Sequence, residues 1–179
     1  MEKSVVYAAM WLMLLQLGSY SFAHADEGAF ENELGLSPTE SINARKAIVV
    51  WLECEECNEG ELQAVLKLGQ LAVPTLANVL KEGPSPVKQE GYRYRLLDNY
   101  EAMQKFLKAR PKPGPINISF EAYLALNMEN YITLYKVRAA TALGKIGGIN
   151  ARNALKEALA SEQSDTVTKT AKEALANLE

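Results

Sequence analysis

The cysteines Cys54 and Cys57 form a C-x-x-C pair, and they are the only cysteines of the chain. Residues three apart at a helix end lie about 5–6 Å apart, which is within the range that a disulfide spans. In an exported protein, such a pair is typical of a structural disulfide. Because the closed loop is small, the bond gains little from chain entropy. We therefore expect it to fix the end of a helix and the turn that follows.

Three other interpretations of the pair stay open: a redox-active dithiol, half of a metal site, and a free, inert pair. A redox site needs a thiol of lowered pKa, whereas we expect this pair to follow a helix C-terminus, which disfavours the thiolate. Zinc usually takes four protein ligands, and here only glutamates or a second chain could complete the set. The surrounding glutamates, which also disfavour a thiolate, are Glu53, Glu55, Glu56, Glu59 and Glu61. We predict a disulfide, with no metal and no cofactor.

The N-terminal 25 residues have the pattern of a secretory signal. Lys3 precedes an unbroken apolar run over residues 5–15, and Ala23-His24-Ala25 fits the small-x-small cleavage pattern. Eleven helical residues cover about 16 Å, half of a bilayer core, so an uncleaved anchor is the less favoured alternative. We predict cleavage after Ala25 and a periplasmic or secreted protein.

Cleavage would also remove His24, the only histidine of the chain. A mature chain without histidine lacks the usual general base, the usual activator of a serine or cysteine nucleophile, and the commonest metal ligand. The net charge of −3 gives no indication of nucleic-acid binding, which favours basic domains. No later stretch is apolar and long enough to span a membrane. We therefore predict a protein that is not an enzyme and that binds no nucleic acid.

Helical periodicity and helix-capping residues predict one all-α domain over residues 37–179, preceded by a flexible acidic tail over residues 26–36. The proline-rich segment at about 110–118 is the clearest linker. Between the first two helices, Asn58 and Gly60 suit left-handed turn positions. The predicted helices, about eight, cover residues 37–53, 61–68, 72–83, 87–108, a segment capped by Ser119, 131–146, 150–160 and 166–178.

The C-terminal region repeats itself at an offset of thirty-two residues. Tyr135, Ala139, Ala142 and Leu143 then coincide with Val167, Ala171, Ala174 and Leu175. A period of this size, with small residues and leucines at helical spacing, is typical of stacked helix pairs. Small side chains let helices approach closely, so we expect the helices over 131–146 and 166–178 to pack together.

This pattern resembles the HEAT-like repeats of bacterial proteins related to phycobilisome lyases, with a degenerate earlier unit over residues 68–80. Tyr135-Lys136 and Val167-Thr168 stand where that family commonly has valine-arginine. The resemblance implies a short α-solenoid, and its lyase branch implies bilin handling, for which the sequence identifies no pocket. The matching residues of the clearest unit are Tyr135, Lys136, Ala139, Ala142, Leu143, Gly144, Gly147, Ala151, Leu155 and Leu159.

A narrower resemblance concerns the segment Trp51-Leu52-Glu53-Cys54-Glu55-Glu56-Cys57, followed by Gly60-Glu61-Leu62 and Ala72-Val73-Pro74. This pattern is similar to that of a group of exported HEAT-repeat proteins of Gram-negative bacteria. The resemblance implies the repeat fold and export, and it implies no activity.

Charge and tyrosine content indicate where a partner would bind. Residues 26–62 carry ten acids and two bases, whereas residues 81–112 carry eight bases and four acids. Tyrosine is an effective interface anchor, although packing between helices and solvated charged faces are the alternatives. We expect a binding or scaffold module whose partner is another protein or an envelope component; thiol–disulfide exchange by Cys54 and Cys57 is the alternative function. The candidate partner-binding residues are Tyr92, Arg93, Arg95, Tyr100, Tyr131 and Tyr135.

Overall fold

The computed structural model describes residues 38–54, 57–109, 118–161 and 164–178, and every regular element in these ranges is a helix. The all-α prediction is confirmed at this level. The predicted signal segment, its cleavage after Ala25, the acidic tail and nearly all of the linker lie outside the described residues. The helices are α1 (Pro38–Glu53), α2 (Glu59–Leu68), α3 (Val73–Glu82), α4 (Pro86–Lys108), α5 (Phe120–Ile146), α6 (Gly148–Ser161) and α7 (Asp165–Ala176), and a 3-10 turn (Gly69–Ala72) joins α2 to α3.

Side-chain caps define where the helices begin. The Ser85 hydroxyl accepts a hydrogen bond from the Lys88 backbone N–H, and Ser119 caps α5 in the same way. Asn58 caps α2 from an extended conformation (φ −97°), so the left-handed turn predicted there is wrong. The physical reason is Glu61, whose carboxylate accepts from the Asn58 N–H at 2.9 Å and completes a capping box. Gly60 is consequently part of the helix.

The two helices predicted over 119–130 and 131–146 are one continuous helix, α5. No proline or glycine interrupts this stretch before Gly144. The sequence pattern changes midway because the neighbours of the helix change. The N-terminal half faces α4 through Phe120 and Tyr123, and the C-terminal half faces α3 and α7.

The hydrophobic core lies among α1, α2, α3, α6, α7 and the C-terminal half of α5. At its centre α5 and α7 approach so closely that a Cβ atom added to Gly144 would lie 2.6 Å from the Ala174 Cβ. The expected packing of these two helices is thus confirmed. The largest fully buried side chains of this core are Val65, Leu76, Leu80, Leu143, Leu155 and Val167.

Helix α4 lies outside this core. It packs chiefly against α5, and Leu96 is its only buried residue in twenty-three. Together with the N-terminal half of α5 (residues 120–131) it forms a helical hairpin, called the hairpin below. No helix in the described ranges combines the length and the apolarity that a membrane span requires.

Candidate functional site

The cysteine pair occupies the turn between α1 and α2. Cys54 directly follows the last residue of α1, and Cys57 directly precedes Asn58, the N-cap of α2. Their Sγ atoms are at bonding distance (1.90 Å) and their Cα atoms are 5.1 Å apart. Cys54 is half-buried and Cys57 is exposed. The structure therefore brings the predicted pair together, with the Cys57 sulfur on the solvent side.

A buried arginine holds this turn against the core. One guanidinium nitrogen of Arg138 donates to the Leu52 carbonyl at 2.7 Å, and the other donates to the Cys54 carbonyl at 2.5 Å. The Trp51 indole N–H donates in return to the Arg138 carbonyl at 3.1 Å. The Leu52 carbonyl lies in the last turn of α1 and the Cys54 carbonyl directly follows the helix, so neither has a partner within the helix. Arg138 thus caps α1 from a distant part of the chain.

The electric field at the pair differs from the sequence-based expectation, which considered the end of α1 and the surrounding glutamates but not the start of α2. The pair lies between the negative C-terminus of α1 and the positive N-terminus of α2. Burial lowers the pKa of Arg138, whereas the neighbouring Tyr135 and Glu61 act in the opposite direction. An arginine side chain stays charged in proteins, so a fixed positive charge lies beside the turn.

Three potential metal ligands converge at the same turn. The Sγ atoms of Cys54 and Cys57 and a carboxylate oxygen of Glu61 all lie within 4.8 Å of one another. Glu61 comes from the first turn of α2, and its carboxylate is oriented by the capping box with Asn58. The metal interpretation of the sequence did not identify which glutamate would contribute.

A chain of hydroxyl groups connects the hairpin to the end of α1. The Tyr131 hydroxyl donates to the Tyr135 hydroxyl at 3.2 Å, which donates to a carboxylate oxygen of Glu53 at 2.7 Å. The same oxygen pairs with the Lys88 ammonium of α4. Tyr92 stacks on Tyr131 with ring centroids 4.0 Å apart and planes 12° from parallel. These contacts join α1, α4 and α5 at the base of the hairpin.

Burial makes these phenols poor acids. It raises the pKa of Tyr92, Tyr123, Tyr131 and Tyr135 above the ordinary value, and desolvation is the largest cause for each of them. For Tyr135, the hydrogen bonds with Tyr131 and Glu53 raise the pKa further. The phenols therefore stay neutral near pH 7, which suits hydrogen bonding and packing better than nucleophilic or basic catalysis.

The six predicted partner-binding residues have different environments. Tyr135 is buried, whereas Tyr92, Tyr100 and Tyr131 are half-buried between α4 and α5. The Tyr100 ring packs against two rings of α5, and its hydroxyl donates to the Ile118 carbonyl at 3.1 Å. Arg93 and Arg95 are exposed, and the Arg95 guanidinium lies 5.3 Å from the centre of the Tyr92 ring.

The sequence-based prediction did not include three of the exposed apolar side chains of α4. Val87 is 59% exposed, Tyr94 63% and Leu97 39%. A spacing of seven residues puts Val87 and Tyr94 on one face of the helix, opposite the buried Leu96, and Leu97 lies at the edge of that face, about 100° from Leu96. A helical projection of residues 86–108 that separates this face from the inward face would have identified them.

Comparison of the chain with protein-family models, with curated proteins and with solved structures found no match.

Proposed function

We propose that this protein is an exported, non-enzymatic binding module in which the hairpin recognises a partner protein of the cell envelope. The exposed apolar face of α4 is the observation that carries the proposal. Val87, Tyr94 and Leu97 form a stripe on a helix that contributes almost nothing to the core. Apolar side chains that follow one face of a helix, rather than being scattered singly, are typical of an interaction surface.

The charges around this stripe indicate the chemistry of the partner. The exposed Arg93 and Arg95 flank Tyr94 in the sequence, and Arg95 also lies near the Tyr92 ring. Helix α4 carries five basic and three acidic residues, so its field attracts an acidic surface. Tyrosine and arginine are also the residues that most often dominate binding energy at interfaces. We infer a partner that presents an apolar patch bordered by acidic groups.

In this proposal the remaining helices stack as a short α-solenoid of HEAT-like helix pairs that supports the hairpin. The thirty-two-residue repeat and the close approach of Gly144 to Ala174 support this arrangement. The signal pattern over residues 1–25 and the bonded cysteine pair support export, because disulfides persist in oxidising compartments. Residues 131–146 of α5 connect the hairpin rigidly to the repeats.

The apolar part of the proposal is tested by alanine substitution in an affinity capture from the native envelope. Tyr94→Ala combined with Leu97→Ala should abolish the recovery of a partner that the unchanged protein captures reproducibly. Ile149→Ala is the matched control, because Ile149 is 74% exposed at the start of α6, outside the hairpin. Equal loss of capture with Ile149→Ala, or full capture by the double variant, would reject the hairpin as the binding surface.

The electrostatic part needs a separate pair of variants. Arg93→Glu with Arg95→Glu should weaken binding to the captured partner at least about tenfold and reduce its dependence on salt. Lys156→Glu with Lys169→Glu makes the same charge change on exposed positions of α6 and α7. If both reversals weaken binding equally, the net charge of the chain rather than the hairpin governs association.

Thiol–disulfide exchange is the second candidate function, and the exposure of Cys57 is the observation that favours it. A partner thiolate would attack Cys57 Sγ and release Cys54 as a thiolate. A second partner thiol would then displace Cys57, leaving the partner oxidised and both cysteines reduced. A redox titration separates the functions, since a structural bond has a reduction potential below about −300 mV and an exchanging one a markedly higher value.

A further inference from the structure

We propose that reduction of the disulfide converts the turn between α1 and α2 into a binding site for a thiophilic divalent cation such as Zn²⁺. The ligands are the sulfurs of Cys54 and Cys57 and a carboxylate oxygen of Glu61, which lie within 4.8 Å of one another. None of these residues belongs to the hairpin. The metal site can therefore be tested, and rejected, independently of the proposed partner binding.

The geometry of the turn suits a tetrahedral ion. Zn–S bonds of about 2.3 Å and Zn–O bonds of about 2.0–2.2 Å place neighbouring ligand atoms roughly 3.3–3.8 Å apart. Reduction lets the two sulfurs, 1.90 Å apart in the disulfide, separate by rotation of the side chains to the about 3.8 Å that a tetrahedral ion requires, and the Glu61 oxygen already lies within 4.8 Å of both. The backbone of the turn is held in place at both ends, by Arg138 at Cys54 and by the Asn58 capping box. Ligands that are held at fixed helix ends lower the ordering cost of binding.

Nearby positive charge compensates for the anionic ligands. Two thiolates and one carboxylate carry a charge of −3, and a divalent cation leaves −1. The Arg138 guanidinium bonds to the Cys54 carbonyl and interacts with Glu61, so it offsets the remaining charge. The N-terminus of α2, next to Cys57, also favours a thiolate. The exposed Cys57 gives the ion a route from solvent and leaves the fourth coordination position to water.

The chemistry requires a reductant, which we take to be a dithiol. Reduction breaks the S–S bond, and the two electrons and two protons from the dithiol give two cysteine thiols while the dithiol becomes a cyclic disulfide. The cation then displaces the two thiol protons as the metal–sulfur bonds form. Metal affinity should therefore fall as pH falls, because protons and the cation compete for the same sulfurs.

The test uses the full chain, reduced and freed of reductant under anaerobic conditions, and titrated with Zn²⁺ against a chromophoric chelator. The expected result is one ion per chain. Glu61→Gln should weaken binding at least about tenfold, a change typical of a lost ligand contact. Glu59→Gln is the matched control, because Glu59 is exposed in the same first turn of α2 and is not one of the three ligands. It should leave the affinity unchanged.

Several outcomes would overturn the proposal. One is that the unchanged chain binds Zn²⁺ no more tightly than the double variant Cys54→Ser with Cys57→Ser. The others are that the two glutamine substitutions have equal effects on Zn²⁺ affinity, or that two chains share one ion. Circular dichroism of every reduced variant checks that the helices persist. If reduction alone unfolds the chain, the turn does not survive without its disulfide, and that result also rejects the site. Cd²⁺ provides a second measurement, since each Cd–thiolate bond adds charge-transfer absorption, so the unchanged chain should absorb more strongly than the single variants Cys54→Ser and Cys57→Ser.

Discussion

The core and the hairpin bury their apolar residues in different ways, although α5 belongs to both. In the core, the leucines Leu76, Leu143 and Leu155 are fully buried between helices that approach closely at small residues. In the hairpin, α4 has one buried residue and contacts α5 mainly through half-buried tyrosines. The core therefore gains most of its stability from dense packing, whereas the hairpin keeps aromatic and basic side chains at its surface.

The residues that stabilise the fold and the residues that we propose bind a partner therefore lie in different regions of one chain. A fully packed face has no side chain to offer a partner, and an exposed apolar face contributes little to folding. The polar contacts at Glu53, where Tyr135 and Lys88 meet one carboxylate oxygen, connect the two regions. Substitutions should consequently have large effects on stability in the core and small ones on the outer face of α4.

The largest contrast should come from removing a leucine side chain in each region. Leu155→Ala creates a cavity in the core and should reduce the free energy of unfolding by about 2–5 kcal/mol. Leu97→Ala, at a partly exposed position of α4, should cost less than about 1 kcal/mol. Chemical denaturation followed by circular dichroism measures both values. Similar losses at the two positions would show that the hairpin is as much a part of the core as α6.

A comparable contrast is expected between two arginines. Arg138→Met leaves the Leu52 and Cys54 carbonyls without their donor and should cost about 2–4 kcal/mol. Arg93→Met, on the exposed hairpin, should change stability by no more than about 0.5 kcal/mol. Thermal unfolding of the two variants side by side provides the measurement. If Arg138→Met does not lower stability, other groups or water must donate hydrogen bonds to the carbonyls at the end of α1.

Substitution of two glycines by alanine should change the stability of the fold in opposite directions. Gly144→Ala forces a methyl group against Ala174, where the contact would be 2.6 Å, and should destabilise by about 1–3 kcal/mol. Gly91→Ala lies in α4 with nothing within 4 Å of the new Cβ, so the higher helix propensity of alanine should stabilise by about 0.5–1 kcal/mol. Denaturant midpoints that shift in the same direction would contradict the difference in packing.

Alkaline pH should weaken the tyrosine contacts at the base of the hairpin. Burial raises the pKa of Tyr131 and Tyr135 above the unfolded value of about 10, so the folded chain keeps protons that the unfolded chain releases. Their contribution to stability is complete below about pH 10 and is lost as the pH rises further. Tyr135→Phe should cost about 1 kcal/mol at neutral pH and reduce this alkaline loss. Tyr94→Phe, at an exposed position, is the control, and equal pH dependence in both variants would contradict the assignment.

The sequence predicted most of the helices because their signals are local. Ser119 starts a helix and Gly83 ends one with a positive φ (77°), as capping rules indicate, and the helix predicted from residue 87 begins one residue earlier, at Pro86. The contact between the helices over 131–146 and 166–178 was predictable because the repeat itself requires neighbours to stack. These features depend on residues close together in the chain or on a visible period.

The features that the sequence did not predict depend on distant partners. Arg138 caps a helix that ends more than eighty residues earlier, and nothing in its neighbourhood in the sequence indicates this role. The continuity of α5 was missed because its halves face different helices, which interrupts the apolar pattern. Asn58 was assigned to a turn because its residue type suits both a left-handed turn and an N-cap, and the capping box with Glu61 decides between them.

The most direct test of the central claim is site-specific photo-crosslinking in the native envelope. A photoreactive amino acid at position 94 samples the outer face of α4, and one at position 149 samples a still more exposed apolar position outside the hairpin. We predict a discrete crosslinked partner from position 94 and none from position 149. A partner captured only from position 149, or no adduct from position 94 in repeated experiments, would contradict a binding surface on the hairpin.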